Sequence, residues 1–288
     1  MTDETTVRLR LDVAYDGTDF SGWAVQPGRR TVAGVLNEAL DRLFGAVTGL
    51  TVAGRTDAGV HATGQVCHVD MPAADWTKLC TTLLRRLAGL LPPDVRVLAV
   101  RAVPQTFDAR FSALSRRYAY RVTDAPYGAN PLRRHDTLAW PRPLDLDALN
   151  AAAAGLRGEH DFAAFCRRKE NATTVRAISH LEWRREPDGI LVASVQADAF
   201  CHAMVRSLVG AMLAAGEGQR DPSWPAGLLS RRERASDVAV APAHGLTLVA
   251  VAYPEDPAEY AERAQATRRR RDVPTLLADP SAAVAAGG

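Results

Sequence analysis

The chain has 288 residues, a formal net charge of +2, 47% hydrophobic and 24% charged residues. These values are ordinary for a folded globular protein and exclude a disordered, collagen-like or disulfide-stapled chain. No run approaches the ~18 apolar residues of a membrane helix, and the opening MTDETTVRLR lacks the apolar stretch of a secretory signal, so a cytoplasmic protein with no membrane partner is expected.

Val7, Leu9, Leu11, Val13 and Tyr15 alternate with Arg8, Arg10, Asp12 and Ala14, which predicts a half-buried strand ending at the turn Asp16-Gly17. From Thr31, the apolar positions Val32, Leu36, Ala39, Leu40, Leu43 and Phe44 have helical spacing, stopped at Gly45. A short strand over Leu50–Ala53 then runs into a loop, 54-GRTDAGVHATGQ-65, and a strand over 66–71. Leu79, Leu83, Leu84, Leu87 and Leu90 predict a helix ended by Pro92-Pro93, and Val95–Val103 a strand. The pattern begins again with a strand over 117–122, coil over 124–143 and a helix over 145–157. Strands at 175–186 and 190–198 are joined by the hairpin turn Pro187-Asp188-Gly189. An apolar helix over 202–215, a shorter one over 223–234 and a strand over Leu246–Tyr253 complete the series.

These elements predict an α+β fold of two similar halves, 1–110 and 111–255, with mixed or antiparallel sheets flanked by helices and a cleft between the halves. The segment 256–288 is charged, carries the run Arg268–Arg271 and ends Ala-rich; it reads as a partly helical, then disordered tail that the fold can do without. The four cysteines, Cys67, Cys80, Cys166 and Cys201, show no CxxC spacing, which speaks against a zinc module and a disulfide framework. His61, His68, His135, His160 and His180 show no ligand spacing either, so no metal is expected. Lysine occurs only at Lys78 and Lys169, so arginine supplies nearly all of the 35 basic residues. Arginine forks onto phosphates and stacks on bases, which suits a nucleic-acid partner, although a GC-rich genome produces the same bias.

Three features carry chemistry. In 54-GRTDAGVH-61, Arg55 and Asp57 stand two apart among glycines, so Asp57 is either an ionised nucleophile or base in a cleft or the acceptor of an Asx-turn. In 200-FCHAMVRSLVGAMLAA-215, Arg206 is the only charged residue; His202, Arg206 and Gly210 share one helical face, Gly210 leaving room above the arginine. A buried arginine needs an acid, and Asp57 across the seam or some other acid meets that need. In 116-RRYAYR-121, Tyr118 and Tyr120 face away from Arg117 and Arg121, an arrangement that stacks a base and holds phosphates, with Tyr120 read as core.

The string GRTDAGVHATGQ closely resembles the signature loop of the tRNA pseudouridine synthase A family. In order along the chain, YDGTDFSGW (15–23), FDARFSALSRRYAYRV (107–122), GEHDFAAFC (158–166), FCHAMVRSLVG (200–210) and HGLTLVAVAY (244–253) resemble its other blocks, so the resemblance covers roughly 7–254. It implies the pseudouridine-synthase fold and isomerisation of uridine at positions 38, 39 and 40 of the tRNA anticodon arm, by a homodimer without metal or organic cofactor. It places the nucleophile on Asp57, a base-displacing arginine that pairs the aspartate on Arg55, the uracil-stacking tyrosine on Tyr118, the basic partner of the aspartate on Arg206, and a pocket-lining apolar residue on Leu246. Ala24 in GWAVQ, Asp108 in FDARFS and the missing Asn in LAGLLP depart from the family pattern without touching that set.

Two other classes are separated by these residues. An RNA-binding protein without turnover has no need of Asp57, Tyr118 and Arg206 together. An aspartate glycosidase needs a second carboxylate ~5–9.5 Å from the first; none sits in the loop, which leaves Asp108 as the acid for the fold to bring near.

Overall fold

The computed structural model describes residues 6–45, 48–167 and 173–268; Lys169, most of the Arg268–Arg271 run and the Ala-rich end lie outside the described residues. The first stretch is β1 (Thr6–Tyr15), α1 (Val32–Phe44), β2 (Thr48–Val52), β3 (His61–Pro72), α2 (Ala73–Leu79), α3 (Leu83–Leu90) and β4 (Val95–Val103). The second is β5 (Ser115–Thr123), β6 (Leu138–Ala139), α4 (Leu146–Ala154), β7 (Gly158–Asp161), β8 (Val175–Arg185), β9 (Leu191–Ala197), α5 (Met204–Gly216), α6 (Trp224–Gly227), β10 (Leu246–Ala252) and α7 (Tyr260–Arg268).

Strands from both stretches hydrogen-bond into one sheet, in the order β4-β1-β3-β10-β5-β9-β8-β7, with β2 beside β3 and β6 beside β5. The fold is α+β, as its sequence predicts, but the strands share a single mixed sheet instead of closing separate ones. The junction is β10, which runs parallel to β3, with Thr247 opposite His61, and antiparallel to β5, with Leu248 opposite Tyr118. Gly64 makes this approach possible: a Cβ there would overlap the Val249 carbonyl.

Several boundaries differ from the sequence reading. The predicted helix over 79–90 is α3, beginning at Leu83; Leu79 ends a separate helix, α2, that was not expected, and the two are parted at a turn where Thr82 gives both its N–H and its hydroxyl to the Leu79 carbonyl. Such local bonding by threonine competes with the helical ladder. The helix predicted over 223–234 stops at Ser230, because 231–234, Arg-Arg-Glu-Arg, has no apolar face to bury. The apolar helix begins at Met204, not at 202, so His202 lies on the turn before it. Among the described residues, no helix is long and apolar enough to cross a membrane.

Alternation along β3 assigns the two faces of the sheet. Cys67, Val69 and Met71 join the main core with α1, α3, α4 and α5, while Val66 faces a second cluster with Ala53, Phe107, Ala109 and Tyr260. His68 shares that second face: its Nδ1 accepts the Ala109 N–H at 3.0 Å and its ring meets Phe107 edge-on. The described part of the segment after 255, residues 256–268, expected to be dispensable, is part of this face. Tyr260 packs edge-on against Phe107 with centroids 5.2 Å apart, the Ser112 hydroxyl donates to the Tyr260 carbonyl, and Arg263 reaches the Ala113 carbonyl. Apolar periodicity in α7 is weak because it buries only Tyr260 and Ala264.

Removing Tyr260 opens a hole against Phe107. Tyr260→Ala is expected to cost about 2–4 kcal/mol, and a chain ending at 255 at least as much; thermal unfolding of both against the full chain checks this, and unchanged melting would mean that α7 contributes nothing. Burial, followed by the Arg8 charge, lowers the His68 pKa below its ordinary value. The folded state therefore binds fewer protons there than the unfolded chain, whose His titrates near ~6.5. The stability His68 contributes is full above that pH and is lost as pH falls below it. His68→Asn, whose Oδ1 keeps the acceptor without titrating, is expected to flatten the decline in melting temperature between neutral pH and about pH 5. An unchanged slope would assign that decline to other groups.

Candidate active site

The loop between β2 and β3 is held by its backbone on every side. Tyr15, the last residue of β1, is buried, and its hydroxyl pairs with Thr56 Oγ1 at 2.7 Å. Gln65, with no exposed surface, donates to the Tyr15 hydroxyl and to the Gly54 carbonyl at 2.8 Å. Burial pushes the Tyr15 phenol up to about 12, so it stays a neutral member of this network. From the β1–α1 connection, the Trp23 N–H donates to the Thr56 carbonyl. Gly22, at φ +93°, would set a Cβ 2.9 Å from that same carbonyl, and a Cβ at Gly17 would overlap the carbonyl of Val60. This close approach explains why the YDG…GW stretch and the GRTDAGVH loop occur in one chain.

His61, at the end of the loop, ties together segments far apart in sequence. Its Nδ1 accepts the Gly17 N–H at 3.0 Å, and its Nε2 lies 2.7 Å from the His135 carbonyl and 3.0 Å from that of His244.

With the backbone so fixed, Asp57 turns its carboxylate outward from a tight turn in which the Val60 N–H meets the Asp57 carbonyl and Gly59 takes φ +77°. The side chain accepts no local N–H among the described residues, so it is not an Asx-turn. Its neighbours come from the far end of the chain: His202 Nε2 lies 3.3 Å from Oδ1 and Arg206 Nη1 3.6 Å from Oδ2. The Asp57 side chain is 28% exposed and that of Arg206 21%, a cleft partly open to solvent. Arg206 is aimed by a second bond, Nε to the Ala241 carbonyl at 2.7 Å, and the Ala241 N–H returns to the Arg206 carbonyl. Gly210, expected to leave room above the arginine, admits the backbone instead: a Cβ there would overlap the Ala239 carbonyl.

Tyr118 comes from β5 on the same side of the sheet, buried and edge-on to Phe200 with centroids 5.2 Å apart. Burial raises its phenol pKa far above the ordinary value, with the Asp57 charge adding to the rise, so the hydroxyl is protonated at neutral pH. Leu246 is buried on β10 opposite Tyr120, and Leu248 is opposite Tyr118. Tyr120 is core, its hydroxyl donating to the Pro242 carbonyl. Asp57, Arg206 and Tyr118 are therefore brought together, with Leu246 beneath. Arg55 is exposed and, among the described residues, makes no ion pair with Asp57. Asp108 is spent elsewhere: it caps its own turn through the N–H groups of Arg110 and Phe111 and meets Arg268.

Sequence reasoning missed His202 as a partner of Asp57, although its position four before Arg206 is the signal that finds it. It also missed Thr56, Gln65, Tyr15 and His61, whose roles depend on contacts between distant segments.

Relatives of known name resemble this chain over nearly all of its length. A family profile described as tRNA pseudouridine synthase matches residues 152–254. The tRNA pseudouridine synthase A of Frankia casuarinae is 62% identical over 96% of this chain and 99% of its own. Those of Streptomyces griseus and Mycobacterium leprae are 56% and 53% identical, covering 93% and 92% of this chain and 95% and 96% of their own. Identity at this level across whole chains means that the protein belongs to the tRNA pseudouridine synthase A family of isomerases.

Proposed function

We propose that the protein isomerises uridine to pseudouridine at positions 38, 39 and 40 of the tRNA anticodon arm, with Asp57 as nucleophile. The observation that carries this reading is the Asp57 carboxylate, released from local hydrogen bonds and faced by Arg206 and His202 beside the buried ring of Tyr118. The reaction breaks C1′–N1, rotates the uracil and forms C1′–C5; a proton leaves C5 and N1 is protonated. Atoms and electrons are conserved, so the chemistry asks for a carboxylate, a flipped base and a pocket that retains the loose uracil. Flipping costs a few kcal/mol and is cheapest in a loop or at a stem end, as in the anticodon arm.

In this reading Arg206 aims the Asp57 carboxylate and gives it a countercharge, and His202 stands against its other oxygen. Tyr118, protonated when the site is empty, offers a stacking plane for the uracil, and Leu246 closes the apolar side of the pocket. Arg55, exposed and in no ion pair among the described residues, enters as the flipped base leaves and fills its place in the stack. We further assign the protein to the cytoplasm and to a homodimer whose tRNA spans both subunits.

Asp57→Asn is expected to abolish turnover while tRNA affinity stays within about tenfold, because binding is spread over many arginines and the nucleophile is one group. Turnover above a few per cent of the wild-type rate, read by mapping pseudouridine in tRNA, would take the nucleophile role from Asp57. Removing one partner of a buried pair costs about 3–5 kcal/mol; in this half-open cleft Arg206→Met is expected to lose about 2–3 kcal/mol of transition-state stabilisation, roughly 30- to 160-fold in kcat. Arg206→Lys should retain more, since charge survives the loss of the fork. A wild-type kcat in Arg206→Met would reduce this arginine to a brace for Ala241.

A further inference from the structure

Next to His202 in the chain stands Cys201, one of a pair of thiols that the isomerisation does not use. Cys166, buried at the end of the turn after β7, and Cys201, half-buried at the turn before α5, have their side chains beside one another. The two segments are clamped side by side, the Arg167 N–H donating to the His202 carbonyl at 3.1 Å. Thiols brought this close by their backbones need little movement to bond.

Exposure divides the pair into an attacking and a resolving thiol: Cys201 is half-buried and Cys166 buried. The charge of Arg176 favours a thiolate at this pair, while Asp161 opposes it. Arg176 Nε–H is buried with no partner among the described residues, a donor left over beside this pair. A cleft of about 390 Å³, lined by Cys166, Arg167, Thr174, Arg232, Glu233 and Arg234 among others, opens on the Cys166 side of the pair, and Cys201 is itself only half-buried.

We propose that Cys166 and Cys201 are a modification site at which a hydroperoxide closes a reversible disulfide and thereby switches the enzyme off. The Cys201 thiolate attacks one peroxide oxygen; the O–O bond breaks, hydroxide leaves as water on protonation, and Cys201 becomes a sulfenic acid. The Cys166 thiol attacks that sulfur, loses its proton and expels a second water. Two thiols and one hydrogen peroxide thus give one disulfide and two waters, the sulfurs losing two electrons and the peroxide gaining them.

The step reaches the active site through three residues. An S–S bond of about 2.05 Å is far shorter than a contact between unbonded thiols, so closure draws residue 201 toward residue 166. Next in the chain are His202, 3.3 Å from the Asp57 carboxylate, and Ala203, at φ +63° the only non-glycine described residue in the left-handed region. A turn already strained at Ala203 transmits the pull to His202 and to the first turn of α5, which carries Arg206. This consequence for activity rests on the reading of Asp57 as the nucleophile; the disulfide itself does not.

The test uses the full chain with Cys80→Ser, which removes the exposed thiol. The protein is treated with hydrogen peroxide, alkylated and mapped by peptide mass spectrometry, and tRNA modification is measured before and after dithiothreitol. A linked Cys166–Cys201 peptide is expected, with a loss of at least tenfold in rate that dithiothreitol reverses and that Cys201→Ala escapes. Absence of that peptide overturns the proposal, as does a linked protein with its full rate or an equal loss in Cys201→Ala. The peptide is read on the unsubstituted pair, so a misfolded variant does not shield the proposal, and failure of Asp57 as nucleophile would show separately as turnover by Asp57→Asn.

Discussion

A carboxylate held in a half-open cleft is the constraint around which this molecule is arranged. A charge withdrawn even partly from water needs partners, and those of Asp57, the guanidinium of Arg206 and the ring of His202, come from about a hundred and fifty residues further along the chain. Arg206 reaches it only because the backbone at 239–241 lies against α5 and takes its Nε, and that backbone lies there only because Gly210 has no Cβ. Each link is a close approach of main chain that a larger side chain would forbid.

The loop that carries Asp57 shows the complementary device. Buried polar atoms need partners, and here they find them in one another: Tyr15 with Thr56, Gln65 with Tyr15 and Gly54, His61 with Gly17, His135 and His244. With those donors and acceptors satisfied within the protein, the Asp57 carboxylate is the group left facing the cleft. A charge held in place beforehand needs no reorganisation when a ligand arrives, and the arrangement places the rigid parts on strands and the carboxylate on a tight turn within the loop between them.

How far such an arrangement can be read from residues alone depends on the range of the interaction. The alternation over 7–15, the helical spacing from Thr31 and the hairpin at 187–189 are local, and they emerge in the structure as β1, α1 and the β8–β9 turn. The lone charge in an apolar helix identified Arg206 as needing an acid, and Asp57 is that acid. The beginning of α5 was less legible: spacing placed His202 on the helix, whereas Ala203 turns the chain before the first helical residue. The second face of the sheet was illegible, since α7 has almost no apolar rhythm and its one large contact, Tyr260 on Phe107, joins residues far apart in sequence. The single sheet was hidden for the same reason, because no local pattern tells a final strand between which neighbours it will lie.

That final strand also sets when Asp57 and Tyr118 come together during synthesis. Both are made well before β10, but β3 and β5, which position them, are neighbours only through β10 at Leu246–Ala252. The ribosome must therefore release that strand from its exit tunnel before the two can meet. A growing polypeptide passes through its long exposure to the cell without this juxtaposition, and one interrupted before β10 never acquires it.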